Sequence, residues 1–240
     1  KRFMMLPYKY VSTINYACSP EAGKYLYGNR SFEFIPNAVD TDKFRFLIDD
    51  RNEIRRKYGI DKDTVVIGHI GRFNVQKNHD FLIDMFKKYN SINPNSKLIL
   101  IGNGELYDNV KKKVEENNLK ENVIFTGVIK ETWKYYSAFD IFVLPSLFEG
   151  LPVVGVEAQC SGVKCLFADN ITKEVKVTDL IDYLKLELDT WVNAICNIDL
   201  NYFRNDYYKI VKNTNFNIKT LAKRMQEKYI KLYGGNNNED

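Results

Sequence analysis

Two glutamates, Glu149 and Glu157, flank the segment whose residue types best suit ligand chemistry. An apolar run at 141–144 predicts a buried strand before it, and Gly150 and Pro152 predict a tight loop that opens into a helix with proline in its first turn. Such a helix start presents unpaired N–H groups and a positive dipole end to an anion. The carboxylates beside it would accept hydrogen bonds from hydroxyl groups. We infer a ligand with phosphate in the middle and polyhydroxylated groups on either side, as in a nucleotide-diphospho-sugar.

A second segment, between a predicted strand at 65–70 and a predicted helix at 80–89, supplies positive charge. Gly71 lets the backbone approach a ligand closely, and Arg72 and Lys77 place two cations on one strand-to-helix loop. Both could form charge-assisted hydrogen bonds with a diphosphate. The ordinary alternative is that both are solvated surface residues. Their position at the carboxyl end of a strand, beside Gly71, favours a role in binding.

Two further turns carry weaker signals. The Gly-Asn-Gly sequence at 102–104 follows a predicted strand, and we expect Gly102 to line the floor of a cleft. The full dinucleotide-binding fingerprint is missing because residue 107 is Tyr, so a purely steric glycine turn is the alternative. After another predicted strand, Val128 and Ile129 are apolar residues that could pack on a base. Ordinary loop packing is the alternative there.

The histidines and cysteines favour ordinary roles over metal binding. His69 falls within a predicted buried strand and is expected to be a core histidine with satisfied hydrogen bonds, and His79 is expected to cap a helix. No metal site is expected, because the cysteines lack paired spacing. They are interpreted as reduced thiols of a cytosolic protein, at Cys18, Cys160, Cys165 and Cys196.

Bulk composition limits the classes of partner. The 240 residues are 45% hydrophobic and carry a net charge of +4, which suits an anionic small substrate or a weak approach to an anionic membrane surface. That charge is too small and too dispersed to indicate nucleic-acid binding. No apolar run reaches the ~20 residues of a membrane span. The sequence begins at Lys1 without a signal-peptide pattern, and we expect it to be part of a longer protein.

Strands and helices alternate from residue 49 onward. This alternation, with continuous apolar strands, predicts an α/β fold with a Rossmann-like parallel sheet and helices on both faces. Ligands of such sheets bind beyond the carboxyl ends of the strands, where each of the motifs above falls. The predicted strands are 65–70, 98–101, 123–125, 141–144, 163–167 and 181–184. The predicted helices are 49–58, 80–89, 106–117, 132–137, 152–161, 190–197 and 202–212.

The two ends of the chain are assigned separately. Residues 1–36 are expected to be the remnant of an amino-terminal domain and linker, with short strands at 13–18 and 31–35 and a helix at 20–27 capped by Ser19. Residues 37–217 are the ligand-binding domain. Residues 218–240 are a basic helix at 218–232, ended by two glycines, and a mobile tail at 236–240.

Taken together, these motifs resemble the retaining glycosyltransferases of family 4, which have the GT-B fold. The match is to the carboxyl-terminal, nucleotide-sugar-binding half and covers about residues 14–175. The segment 168–172 also resembles members that build bacterial capsular polysaccharides or exopolysaccharides. The resemblance rests on 35–44, the loop 71–78, 100–104, 125–127 and the E-x7-E segment 149–157.

The resemblance implies a role for each candidate residue. Arg72 and Lys77 would hold the donor diphosphate and stabilise the leaving nucleotide without a divalent metal. Glu149 would contact the transferred hexose, and Glu157 would hold the ribose hydroxyls. The remaining binding residues would be Gly71 and Gly102 near the cleft floor, Val128 and Ile129 flanking the base, and Gly150, Leu151, Pro152 and Val153 lining the phosphate and sugar.

The resemblance also sets the wider expectations. The donor would be a UDP-sugar or a GDP-sugar, and transfer would retain the anomeric configuration. A lipid-linked or saccharide acceptor would bind in the cleft between two domains of the intact protein, in the cytoplasm or at the inner face of the membrane. We expect the 240 residues alone to bind donor but give little or no transfer. The alternatives are a nucleotide-sugar epimerase of GT-B architecture, a non-catalytic nucleotide-sugar-binding module and a paired-carboxylate hydrolase.

Overall fold

The computed structural model of the chain describes residues 14–235. The strands of this part are β1 (Tyr16–Ala17), β2 (Glu33–Phe34), β3 (Val65–Ile70), β4 (Ser96–Ile101), β5 (Val123–Gly127), β6 (Ile141–Leu144), β7 (Lys164–Ala168) and β8 (Ile181–Leu184). Its α-helices are α1 (Pro20–Tyr27), α2 (Ile48–Lys57), α3 (His79–Ile92), α4 (Tyr107–Glu116), α5 (Thr132–Ala138), α6 (Val153–Cys160), α7 (Leu188–Asn197), α8 (Tyr207–Lys212) and α9 (Ile218–Gly235).

Strands β3 to β8 form one parallel sheet in the order β5-β4-β3-β6-β7-β8. The chain builds outward from β3 through β4 and β5, and then returns to the other side of β3 to form β6. The order therefore reverses between β3 and β6. In open parallel sheets the carboxyl ends at such a switch point are where ligands bind. The predicted α/β fold is confirmed.

The strands are apolar because the sheet is covered on both faces. All four residues of β6 are buried, which explains its unbroken apolar run. The helices pack in two groups, α3 with α4 and α7, and α2 with α5, α6 and α8. Helix α3 buries Leu82, Met85 and Phe86, whose three- and four-residue spacing puts them on one face. In β3, Gly68 lets the Phe139 ring approach, since a Cβ there would lie 2.2 Å from the ring.

Most predicted boundaries agree with the structure within one or two residues, but several do not; α3, for example, ends at Ile92 rather than 89. Pro152 is not in the first turn of α6; its backbone is extended (ψ 100) and it precedes the helix. Helix α8 begins at Tyr207 rather than 202, after a short 3₁₀ turn. Here the Arg204 guanidinium donates to the carbonyls of Tyr136 and Phe139, which holds this turn against α5. Helix α9 continues through Gly235 instead of ending at 232.

The amino-terminal part forms its own small sheet. Strands β1 and β2 pair in parallel with each other, and both are shorter than predicted. The Ser19 hydroxyl caps α1 as predicted, accepting a hydrogen bond from the Ala22 N–H at 3.1 Å. Helix α9 contacts this sheet through Arg224 and Lys228, which both bind Glu33. The domain limits at 36/37 and 217/218 stay predictions, and the segments 1–13 and 236–240, with the expected mobile tail, lie outside the described residues.

A buried ion cluster anchors α2 at the opposite end of the sheet from the switch-point loops. Asp140, just before β6, bonds to Arg51 and to Arg55 at 2.6 Å each and accepts the Val66 N–H at 2.7 Å. Burial lowers the pKa of Arg55, and Asp140 opposes that shift. The cluster joins α2 to the start of both central strands.

Asp140→Ala should lower the free energy of unfolding by about 3 kcal/mol, because it leaves two largely buried guanidinium groups without their carboxylate. Urea denaturation measures the change. The matched control is Glu116→Ala, which breaks the exposed pair of Lys112 and Glu116 on α4 and should cost less than about 1 kcal/mol. Equal small losses in both variants would show that the Asp140 cluster does not anchor α2.

Candidate active site

Three neighbouring strand ends form the floor of the candidate site. The Gly71 N–H donates to the Ile101 carbonyl at 3.0 Å, and the Gly102 N–H donates to the Gly127 carbonyl at 2.9 Å. Gly102 has a φ of +141°, and a Cβ there would lie 2.0 Å from the Gly71 carbonyl oxygen. Only glycine permits this approach. The structure thus places Gly71 and Gly102 side by side at the carboxyl edge of the sheet.

The loop after β3 turns Lys77 back over this floor. Asn74 begins a 3₁₀ turn, Val75–Lys77, and its side-chain oxygen accepts the Lys77 N–H at 3.1 Å. Asn78 follows in the left-handed conformation, with a φ of 55°. The Lys77 chain then passes so close to Gly71 that a Cβ at Gly71 would lie 3.0 Å from its Cε. Gly71 therefore makes room for the lysine as well as for a ligand.

Lys77 and Glu149 form the central contact of the site. Lys77 Nζ lies 2.5 Å from Glu149 Oε1, with the side chains only 14% and 8% exposed. Gln76 Nε2 donates to the other Glu149 oxygen at 3.1 Å and to the Phe148 carbonyl at 2.9 Å. The Leu147 N–H donates back to the Gln76 carbonyl at 2.8 Å. The loops that follow β3 and β6 are thus joined across the switch point.

Arg72 does not join this contact. It pairs instead with Glu105, at 3.1 Å between Nη2 and Oε2, and the two side chains are 70% and 55% exposed. An exposed pair of this kind contributes little stability and exchanges readily for another anion. Arg72 therefore lies on the rim of the site, with its guanidinium open to solvent.

Glu157 is held separately, inside α6. The Tyr136 hydroxyl donates to Glu157 Oε2 at 2.7 Å. Burial raises the pKa of Glu157, and the hydrogen bond from Tyr136 acts in the opposite direction. Within residues 14–235, no hydrogen bond or ion pair connects Glu157 directly to Lys77 or Glu149. The two glutamates therefore occupy separate contacts on either side of the start of α6.

The start of α6 is free of side-chain caps. Pro152 precedes the helix, and no side chain of the described part of the chain accepts a hydrogen bond from its first turn. Gly150 is exposed, with open space where a Cβ would stand, and Leu151 and Val153 are partly exposed. The uncapped N–H groups and the positive end of the helix dipole can therefore receive an anion.

The loop after β5 lies at the same edge of the sheet, separated from the β3 loop by β4. Gly127 takes a positive φ of 69° and turns the chain out of the sheet. Val128, which follows, is 76% exposed, whereas Ile129 packs partly against the core. An exposed valine at a strand end could contact a flat apolar ligand group. That contact stays a prediction.

His69 is a buried core histidine of β3, as predicted, but its hydrogen bonds are only partly satisfied, and the role predicted for His79 is wrong. His79 does not cap α3: its ring stacks on Phe73 at 4.1 Å between centroids, and within residues 14–235 neither of its ring nitrogens has a hydrogen-bond partner. Burial lowers the pKa of His79 to about 4. His69 is only half satisfied, because Nδ1 contacts the Val143 carbonyl at 2.9 Å while Nε2 has no partner. Burial holds the pKa of His69 well below its usual value, so both rings are neutral at pH 7.

Residues 14–235 contain neither a candidate metal site nor a helix that could cross a membrane. This part contains no group of three or more His, Cys, Asp or Glu side chains placed to hold a metal ion. None of its helices combines the length and the apolar character that crossing a membrane requires. The metal-independent chemistry expected from the sequence stays a prediction.

Three residues of the site were not predicted. Glu105 lies next to the Gly-Asn-Gly turn and Gln76 precedes Lys77, so both fall in segments already singled out. Their partners become visible only when the loops meet. Tyr136 lies 21 residues before Glu157 within an aromatic run that resembles ordinary core. Nothing in the sequence marks its hydroxyl as a partner of a carboxylate.

Comparison with known proteins adds a family match. The family model "Glycosyl transferases group 1" matches residues 50–178, more than half of the chain. A putative glycosyltransferase EpsF from Bacillus subtilis (strain 168) is 34% identical over 187 residues, which are 75% of this chain and 49% of that protein.

A second relative and a solved structure agree with this match. The UDP-Gal:alpha-D-GlcNAc-diphosphoundecaprenol alpha-1,3-galactosyltransferase of Escherichia coli is 28% identical over 207 residues, 82% of this chain and 54% of that enzyme. The chain thus spans about half the length of these curated relatives. The crystal structure of Anabaena Alr3699/HepE in complex with UDP and glucose matches 95% of this chain and 66% of its own, with a TM-score of 0.77 and 19% identity. The expected GT-B-type fold is confirmed.

The neutral state of His79 predicts a pH effect. As the pH falls from 6.5 to about 4, the unfolded chain takes up a proton at this position while the folded protein does not, so stability is lost across that window. In His79→Phe, the free energy of unfolding should therefore fall less steeply between pH 6.5 and 4, by up to about 1.4 kcal/mol per pH unit. Urea denaturation at several pH values measures the slope.

The control for this prediction is Asn109→Ala. Asn109 and His79 line the same cavity of about 320 Å³, but Asn109 has no titratable group. This variant should keep the wild-type slope. A His79→Phe slope equal to that of wild type would contradict the neutral, buried state of the ring.

Proposed function

The chain belongs to the glycosyl transferases group 1 family, and from this premise we propose that it binds the nucleotide-sugar donor of a hexosyl transfer. The donor is a UDP-sugar or a GDP-sugar. The observation that carries the proposal is the contact of Lys77 with Glu149 beside the uncapped start of α6, at the switch point of the sheet. The loops after β3 and β6 thus bring together the Lys77 cation, the uncapped N–H groups at the start of α6, and Glu149, which can accept hydrogen bonds from hydroxyl groups.

The diphosphate binds at Lys77 and the start of α6. Lys77 is largely buried, so its charge acts through a medium that screens it less than water does. A diphosphate therefore competes with Glu149 for the ammonium group, and the helix dipole favours the incoming anion. Arg72 turns from Glu105 toward the phosphates from the rim. This movement is inexpensive because the pair it leaves is exposed.

The two glutamates accept hydrogen bonds from the hydroxyl groups on either side of the diphosphate. Once the phosphate draws Lys77 away, Glu149 Oε1 is free to accept a hydrogen bond from the hexose, while Gln76 still holds the other oxygen. Glu157 accepts from the ribose. Val128 and Ile129 contact the base from the end of β5.

Transfer follows from stabilising the leaving group. The bond between the anomeric carbon and the phosphate oxygen breaks, and its electron pair goes to the diphosphate, whose charge Lys77, Arg72 and the helix start stabilise. The acceptor hydroxyl forms the new bond to the anomeric carbon and gives its proton to the departing phosphate. Two cations take the place of a divalent metal in this scheme. Retention of the anomeric configuration is proposed from the resemblance to family 4.

The names of two similar proteins support a nucleotide-sugar donor and a role in polysaccharide synthesis. The Escherichia coli relative uses UDP-Gal with a diphosphoundecaprenol acceptor, and the Anabaena structure holds UDP and glucose. We propose by analogy a lipid-linked or saccharide acceptor, a role in bacterial surface polysaccharide biosynthesis, and work at the cytoplasmic face of a membrane. The four cysteines, all within residues 14–235 and all free thiols, support a reducing compartment.

Titration of the 240-residue chain with nucleotides tests the donor site. UDP or GDP should bind in the micromolar to millimolar range and more tightly than ADP, as isothermal titration calorimetry would measure. If none of the three nucleotides binds at millimolar concentration, the proposed donor site is wrong.

Single replacements of the two glutamates separate their roles. Glu157→Ala should weaken bare UDP or GDP by roughly tenfold, the loss expected for a hydrogen bond to a charged group. Glu149→Ala should leave bare nucleotide unchanged or tighter, because it frees Lys77, and should weaken only the complete sugar nucleotide. Glu121→Ala, on the surface before β5, is the control and should change neither. Equal losses of bare nucleotide in Glu149→Ala and Glu157→Ala would contradict this division.

A further inference from the structure

Tyr136 packs its ring in the core, and its hydroxyl makes a separate, polar contact. The ring is completely buried, with Phe142 at 5.6 Å and Phe44 at 5.8 Å between centroids. Arg204 fixes the backbone of Tyr136 from the other side, donating to its carbonyl at 2.9 Å. The packing of the ring fixes the position of the hydroxyl, and a buried hydroxyl needs a hydrogen-bond partner there.

The partner of that hydroxyl is the Glu157 carboxylate. Oη lies 2.7 Å from Glu157 Oε2 and 3.2 Å from the Val154 carbonyl, and a single proton favours the shorter, charge-assisted contact. Within residues 14–235, Tyr136 is the one group that hydrogen-bonds to this carboxylate. The second oxygen, Oε1, has no protein partner there, and the side chain remains partly exposed.

We propose that Tyr136 is a positioning residue, which orients the Glu157 carboxylate so that Oε1 accepts a hydrogen bond from the ribose and selects ribonucleotides over their dideoxy counterparts. This inference rests on the proposed donor site and adds the residue that makes its ribose contact specific.

Two physical effects support this role. A glutamate has three rotatable bonds, and holding one oxygen removes rotational freedom that ligand binding would otherwise have to remove. Burial raises the pKa of Glu157, and the hydrogen bond from Tyr136 opposes part of that rise because it stabilises the carboxylate form. An oriented acceptor discriminates against a ligand that lacks the hydroxyl.

The test compares UDP with 2′,3′-dideoxy-UDP, and GDP with its dideoxy counterpart, by calorimetric titration of the full 240-residue chain. Wild type should bind the ribonucleotide roughly tenfold more tightly. Tyr136→Phe keeps the ring and removes only the hydroxyl. It should weaken the ribonucleotide severalfold, leave the dideoxynucleotide nearly unchanged and bring the ratio close to one.

The adjacent tyrosine provides a matched control. The Tyr135 ring is also buried, but its hydroxyl contacts Lys57 at 3.2 Å, at the end of α2, and Tyr58 at 3.0 Å, the residue after it. Tyr135→Phe should keep the wild-type ratio. Glu157→Gln tests the same contact from its other partner and should lower the ratio even if Tyr136→Phe fails to fold. Adding Tyr136→Phe to Glu157→Gln should have little further effect.

Each remaining outcome has a defined meaning. A Tyr136→Phe protein with the wild-type ratio, or one that loses both nucleotides equally, would overturn the positioning role and leave the donor site in place. If wild type binds UDP and dideoxy-UDP equally, the ribose contact is wrong and the role of Tyr136 with it. If wild type binds no nucleotide, the proposed donor site itself fails and this inference fails with it.

Discussion

The buried contact between Lys77 and Glu149 is the interaction on which the site depends. It forms because the β3 loop and the β6 loop leave neighbouring strands at the point where the order of the sheet reverses. Gly71 leaves space for the lysine, and Gln76 holds the glutamate from its other oxygen. The contact pairs two largely buried charges of opposite sign. It also keeps each group beside the position where a diphosphate and a sugar would separate them.

The rest of the fold serves to hold these loops in register. Parallel pairing of β3 with β4 and β6 brings their carboxyl ends to one edge, and the glycines at the ends of β3 and β4 let the backbone chains approach. At the other end of the strands, Asp140 ties α2 to the starts of β3 and β6. In α/β proteins a rigid sheet commonly supports the loops at the carboxyl ends of its strands, where ligands bind.

The features that depend on local sequence pattern could be predicted from the sequence. The contacts between residues far apart in the chain could not. The apolar strands and the E-x7-E segment were visible because burial on both faces gives continuous apolar runs and because glycine and proline mark the loop. The pairing of Arg72 with Glu105, and of Glu157 with Tyr136, joins residues 33 and 21 positions apart. The role of His79 was wrong because its position near a helix start suggested capping, whereas packing on Phe73 decided its orientation.

A crystal structure of the chain with UDP would show whether the nucleotide binds where Lys77 meets Glu149. The diphosphate should lie at the start of α6, with a phosphate oxygen about 3 Å from Lys77 Nζ and with Lys77 separated from Glu149 Oε1. The ribose should lie against Glu157. A nucleotide bound elsewhere on the chain, with the contact between Lys77 and Glu149 intact, would contradict the assignment of this edge of the sheet as the donor site.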